Sequence, residues 1–228
     1  MNVLTLALSV LKARIYLFKW AIGSALAIFG LLVAAPAWAH HPSGGDTPDH
    51  WLPALLSGIG HPVIGLDHLA FVIAAGLLAA LVGGGFWVPI TFVMASVIGA
   101  GIHLMGIDLP FVELTIAASV LLAGLALALK TPPRRELILG FTAIAGLFHG
   151  FAYAEAIFGA EAGPLVAYLL GFSLIQLAIA GATYALVNRL KTLSERSLGS
   201  SLQPAGLVIC GIGLTLVMTQ VVDTLLPA

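Results

Sequence analysis

The residues of this chain that could do chemistry are imidazoles and carboxylates set inside otherwise apolar stretches. The run His61-Pro62-Val63-Ile64-Gly65-Leu66-Asp67-His68 opens one such stretch with two imidazoles and a carboxylate. His103 closes a second, Glu113 begins a third, His149, Tyr153 and Glu155 share a fourth, and Gln176 lies within a fifth. Imidazole plus carboxylate without thiolate suits divalent nickel, cobalt or zinc better than copper(I) or iron–sulfur clusters. Carboxylates alone would have suited magnesium or calcium. The single cysteine, Cys210, sits in an apolar run and reads as a small packing residue. One cysteine cannot form an internal disulfide.

Spacing limits what these groups can do together. His61 and His68 are seven residues apart, so in one straight helix they share a face about 10 Å apart. One ion cannot take both through ~2 Å bonds. Either Pro62 and Gly65 break the helix, or the two histidines serve successive sites. Asp67 and His68 point about 100° apart on an ideal helix. One can therefore bind a metal while the other orients a ligand from a neighbouring segment. His149 and Tyr153 share a face at i,i+4, whereas Glu155 faces elsewhere. Structural readings stand beside these: His61 as a cap next to Pro62, His103 as a solvated helix-end residue, Glu113 as a carboxylate at a helix N-terminus and Gln176 as an interhelical hydrogen-bonding group. Asp67, His68, His149 and Glu155 fit such readings less well, because ionisable groups within a membrane are costly and face the bundle interior.

The elements that must position these residues are membrane helices. The chain has 228 residues, 60% hydrophobic and 8% charged, too apolar for a soluble domain, whose surface must face water. Residues 1–39 read as a secretory signal peptide: Lys12, Arg14 and Lys19 form a basic n-region, Ala21 to Ala35 an apolar h-region, and Ala37-Trp38-Ala39 a cleavage site. An uncleaved signal anchor is the alternative. Cleavage would make His40 the N-terminus beside His41, where amine and imidazole together could collect a metal; a plain polar linker is the other reading of this segment. The expected domains are thus the signal peptide (1–39), a His-bearing periplasmic segment (40–61) and a transmembrane domain (62–228). Six apolar segments are expected near 62–82, 87–105, 109–129, 137–158, 164–188 and 204–226, with 51–60 as a short surface helix. The fold class is an all-α polytopic bundle of about six transmembrane helices.

Charge placement orients this bundle. Outside the signal, the basic residues Lys130, Arg134, Arg135, Arg189, Lys191 and Arg196 all fall in or beside the loops 130–136 and 189–203. The positive-inside rule makes those loops cytoplasmic. Six spans after a cleaved signal give the same orientation, with the mature N-terminus periplasmic in a bacterial inner membrane. The outer loops carry Asp46, Asp49, Asp108 and Glu161 and no basic residue, a face that concentrates cations. The inner halves offer only neutral groups such as Ser96, Ser119, Thr142 and Tyr184.

At these residues the chain resembles the HupE/UreJ family of nickel and cobalt permeases. The likeness rests on His61 to His68, on Leu109-Pro110-Phe111-Val112-Glu113 with Ile116-Ala117-Ala118-Ser119-Val120, and on Phe148-His149-Gly150-Phe151-Ala152-Tyr153-Ala154-Glu155. It implies facilitated or potential-driven uptake of nickel or cobalt from periplasm to cytoplasm, with His61, Asp67, His68, His149 and Glu155 as metal residues. The family usually has a second histidine and a glycine where this chain has Tyr153 and Ala154.

The expected function is a permease and not an enzyme, with Ni2+ or Co2+ as transported substrate, no cofactor, the lipid bilayer as partner and no nucleic acid. Metal ligands are sought among His61, Asp67, His68, His149, Glu155, Glu113, His103 and His40, with Tyr153 and Gln176 supporting. The alternatives are an intramembrane zinc hydrolase, for which Ser57 is the available serine, and a non-transporting metal-sensing accessory protein. No lysine lies within a span, which excludes a retinal-type pump, and no oligomeric state is specified.

Overall fold

The structure, a computed structural model, describes residues 47–129, 131–192 and 198–226. The expected signal peptide, His40 and His41, Lys130 and Arg196 lie outside the described residues. Seven helices follow in order: α1 (Trp51–Ile64), α2 (Leu66–Leu81), α3 (Trp87–Leu104), α4 (Val112–Ala128), α5 (Arg135–Glu155), α6 (Ala162–Thr192) and α7 (Leu198–Leu225). No strand occurs among the described residues. Helices α3, α5, α6 and α7 are each long and apolar enough to cross a bilayer, and α1 with α2 makes a fifth unit of that kind. The 17 residues of α4 reach about 26 Å at 1.5 Å per residue, near the ~30 Å hydrocarbon core. The protein is a polytopic helical membrane bundle.

The first unit differs from the single span expected over 62–82. The chain turns by 79° between α1 and α2, and the expected domain boundary at 61/62 falls inside α1. Gly65 is the break. Its backbone is extended (φ −69, ψ 111), and its N–H closes α1 on the His61 carbonyl. Its own carbonyl then accepts the Leu69 N–H and starts α2. Pro62 sits inside α1 and brings no N–H of its own. A Cβ at Gly65 would lie 2.7 Å from the His68 ring and 3.0 Å from Asp67 Oδ1. Only a residue without a side chain lets the chain fold back so tightly over its own next turn.

Helix α2 is the hub. Twelve of its 16 residues are buried, as expected for a helix apolar on every side. Three close pairs surround it: α1 with α6, α3 with α5, and α4 with α7. Glycines make each pair possible. A side chain at Gly58 or Gly171 would strike the facing backbone of α6 or α1. The same holds for Gly99, Gly146 and Gly150 between α3 and α5, and for Gly124, Gly206 and Gly213 between α4 and α7. Without a hydrophobic drive between helices in lipid, such close backbone approach supplies the packing energy. Cys210 lies against Gly124 at the α4–α7 contact, a packing role. By contrast, Gly101 and Gly140 meet nothing. Ile98, Ile144, Leu170, Leu174 and Leu214 are exposed, and acyl chains satisfy them as well as other side chains would.

Candidate metal centre

The fold gathers three histidines from three helices. His61 comes from the last turn of α1, His68 from the first turn of α2 and His149 from α5. All three are buried, His149 completely. The bend at Gly65 brings the His61 and His68 rings to 5.5 Å between centroids. Of the two sequence alternatives, the broken helix is the one observed. His68 Nδ1 stands 2.9 Å from His149 Nδ1. Two nitrogens on one tetrahedral ion at ~2.0–2.1 Å would be ~3.3 Å apart, so this pair is joined by a hydrogen bond.

Hydroxyls close the cluster. Ser119 of α4 donates to the Ile116 carbonyl at 2.7 Å and lies 3.0 Å from His149 Nε2. Tyr168 of α6 donates to the Tyr153 carbonyl at 2.7 Å and lies 2.9 Å from His61 Nδ1. Sequence reasoning missed both roles. It placed Ser119 among neutral inner-half groups, and the fold instead sets it at the depth of His149. It did not single out Tyr168, although a tyrosine amid the apolar residues of α6 was a signal of a polar partner nearby.

Tyr153 packs its fully buried ring 4.5 Å from His68 and 5.2 Å from His61. Its hydroxyl, the Gln176 side-chain amide and Ser57 Oγ are buried with no hydrogen-bond partner among the described residues. Each such group costs about 1–3 kcal/mol, which suits a site that takes a polar ligand. On the other side of His149, Phe71 and Phe92 stand at 4.8 and 5.5 Å. They stack on each other at 4.9 Å and are fully buried.

The carboxylates take separate places, as the helix spacing of Glu155 from His149 implies. Asp67 turns its Oδ1 onto the His68 backbone N–H at 2.8 Å. Glu155 does not join His149: with Glu113, His103 and Asp108 it lines a cavity of about 550 Å³ that Phe111, Phe151 and Gln220 also border. His103 Nδ1 is buried there without a partner among the described residues. Its ring packs edge-on against Phe151 at 4.5 Å. Glu113 lies within electrostatic reach of both Glu155 and Asp67, and Asp67 within reach of His68 and His149. Among the described residues, no three His, Cys, Asp or Glu side chains already converge as a metal cage.

A bent helix unit carrying a buried histidine cluster, inside a glycine-packed bundle, defines a membrane protein with a polar centre of imidazole and carboxylate. The HupE / UreJ protein profile matches residues 17–216, and the chain belongs to that family. Protein HupE of Rhizobium leguminosarum bv. viciae is 39% identical over 103 residues, which cover 43% of this chain and 52% of that protein. The match thus spans about half the length of that relative. No solved structure matches the chain.

Proposed function

We propose that this protein is a permease for nickel or cobalt, carrying the divalent ion from the periplasm to the cytoplasm. The observation that carries this reading is the buried cluster of His61, His68 and His149, in the same bundle as a cavity lined by Glu113 and Glu155. Family membership supports it. So does the donor set, which has the borderline character these ions prefer. Acidic side chains at the cavity concentrate the cation by their field. The ion exchanges water for carboxylate, then for imidazole, and leaves past Phe71 and Phe92 once these move. The basic residues support this orientation: Arg189 and Lys191 end α6, and Lys191 Nζ donates to the Ala80 carbonyl near the end of α2, so the positive-inside rule assigns these two helix ends to one side, the cytoplasmic one. An inward-negative potential then drives uptake, supplying roughly 4.6 kcal/mol per 100 mV for a doubly charged ion.

Proteoliposomes loaded with a metal chelator and given radiolabelled nickel or cobalt test the reading. Saturable uptake of one metal, accelerated by an inside-negative potential and lost in His68→Ala, is the expected result. Metal binding without flux would overturn it in favour of a sensing or accessory role.

A further inference from the structure

Helix α6 turns one buried stripe toward the bundle. Tyr168, Phe172, Gln176 and Ala180 recur at every fourth residue and all are buried, as neighbours on one helical face are. One end of the stripe meets α1 and the residues around the histidines. A Cβ at Gly58 would strike the Tyr168 carbonyl, and the Phe172 ring stands 5.2 Å from that of Tyr153. The other end meets α2, where a Cβ at Gly76 would strike the Ala180 carbonyl. Farther along, Lys191 reaches the Ala80 carbonyl. Residue numbers rise together in these two contacts, so α2 and α6 run the same way. One turn back from Gly76 and Ala180, about 6 Å along each axis, stand Val72 and Gln176. Gln176 thus lies at the level of Phe71, whose ring packs 4.8 Å from His149. It is also about 12 Å along α6 from Tyr168, in the direction of the basic end of that helix.

Gln176 is the odd member of this stripe. Its side chain is fully buried, and neither Oε1 nor Nε2 has a hydrogen-bond partner among the described residues. Buried hydroxyls nearer the basic helix ends are used locally: Ser96 donates to the Phe92 carbonyl and Thr142 to the Leu139 carbonyl. An unpaired buried amide destabilises the fold, and a leucine of similar size would fill the same space without that cost. Such a group in a native core calls for a polar ligand. We propose that Gln176 binds the ion on its inward step, its Oε1 accepting hydrogen bonds from the ion's water ligands at the level of Phe71. The identity of the ion rests on the permease reading. An ion leaving imidazole regains water, and those waters turn their hydrogens outward toward acceptors. The amide offers an acceptor in Oε1 and, in Nε2, two donors for water one layer farther out. Neutrality is part of the function. A path must hold an ion firmly enough to admit it and weakly enough to let it go, and an amide has neither the charge of a carboxylate nor the nitrogen donor of an imidazole. Tyr153, whose hydroxyl is likewise buried and unpartnered among the described residues, packs its ring on His68 at 4.5 Å and on Phe172 at 5.2 Å. A second neutral oxygen thus belongs to a side chain between the histidines and the α6 stripe.

Gln176→Leu and Gln176→Glu, made in the full chain, test the assignment by flux and by stability. In proteoliposomes with an inside-negative potential and radiolabelled nickel or cobalt outside, Gln176→Leu should lower kcat about tenfold or more and keep KM within about threefold of the wild type, because the entry side is untouched. Its unfolding temperature in detergent should equal or exceed the wild-type value, since the unpaired amide is gone. A stable Gln176→Leu with wild-type kcat overturns the proposal and leaves the permease reading intact. Should Gln176→Leu not fold, Gln176→Met, apolar and more adaptable in shape, carries the same two expectations. Gln176→Glu is read without transport. Its buried carboxylate should lower the unfolding temperature in metal-free detergent, and nickel or cobalt should raise that temperature by a larger shift than either gives the wild type. A metal-induced shift equal to that of the wild type overturns the proposal whether or not the protein transports. Absence of uptake by the wild-type protein defeats the permease reading, and the binding role of Gln176 is then decided by the metal-induced shift of Gln176→Glu.

Discussion

Gly65→Ala is the smallest change that tests how the centre is built. The Gly65 backbone (φ −69, ψ 111) is open to alanine, so no backbone strain is expected. The new Cβ would lie 2.7 Å from Cδ2 of His68 and 3.0 Å from Asp67 Oδ1. Ordinary carbon contacts begin near 3.5 Å, so the imidazole must retreat by about 0.8 Å. A ring displaced by that much cannot keep the present geometry of its 2.9 Å bond to His149 Nδ1. Leaving that buried pair unmade costs about 1–3 kcal/mol. The predicted result is a KM for metal uptake raised by about tenfold or more, one decade being 1.4 kcal/mol. Radiolabelled metal flux into proteoliposomes measures it, alongside thermal unfolding to follow stability. Gly101→Ala, where an added Cβ meets nothing, is the control. It should leave KM unchanged and, as a helix-interior glycine, gain up to about 1 kcal/mol of stability. Equal KM values for the two variants would refute the argument that the bend and its missing side chain set the position of His68.

Other consequences follow from the packing and the charges. Gly150→Ala puts a methyl group against the Ser96 backbone of α3. Since a backbone cannot swing aside as a side chain can, a loss of at least about 1–3 kcal/mol is expected, read as a lower unfolding temperature in detergent. Glu113→Gln and Glu155→Gln remove acidic charge from the cavity. Each should lower kcat/KM by about tenfold at low ionic strength and less in high salt, where the field is screened; a loss independent of salt would indicate that these carboxylates do more than attract the ion. Collapsing the membrane potential should slow uptake by the wild type, and an unchanged rate would point to an intracellular metal sink as the drive.

Local composition alone settled much of this protein. Long apolar runs can satisfy their backbone only as helices in a bilayer, so the all-α bundle and the approximate positions of α3 to α7 were legible before any coordinates. So was the short set of ionisable groups, because each stands out against an apolar background. The glycines of the spans divide only in three dimensions, Gly99, Gly146 and Gly150 closing a helix pair and Gly101 and Gly140 touching nothing. What the tertiary structure decided was which groups meet. His68 and His149 are 81 residues apart and touch, whereas His149 and Glu155, neighbours on one helix, part company toward the histidine cluster and the cavity. The 79° turn at Gly65 converted a spacing of about 10 Å on a straight helix into adjacent rings. Ser119 and Tyr168 gained their roles only because α4 and α6 pack beside the histidines. Periodicity along a chain reports the face a residue occupies on its own helix. The partner of that face is chosen by how whole helices fit together, and no local pattern records that choice.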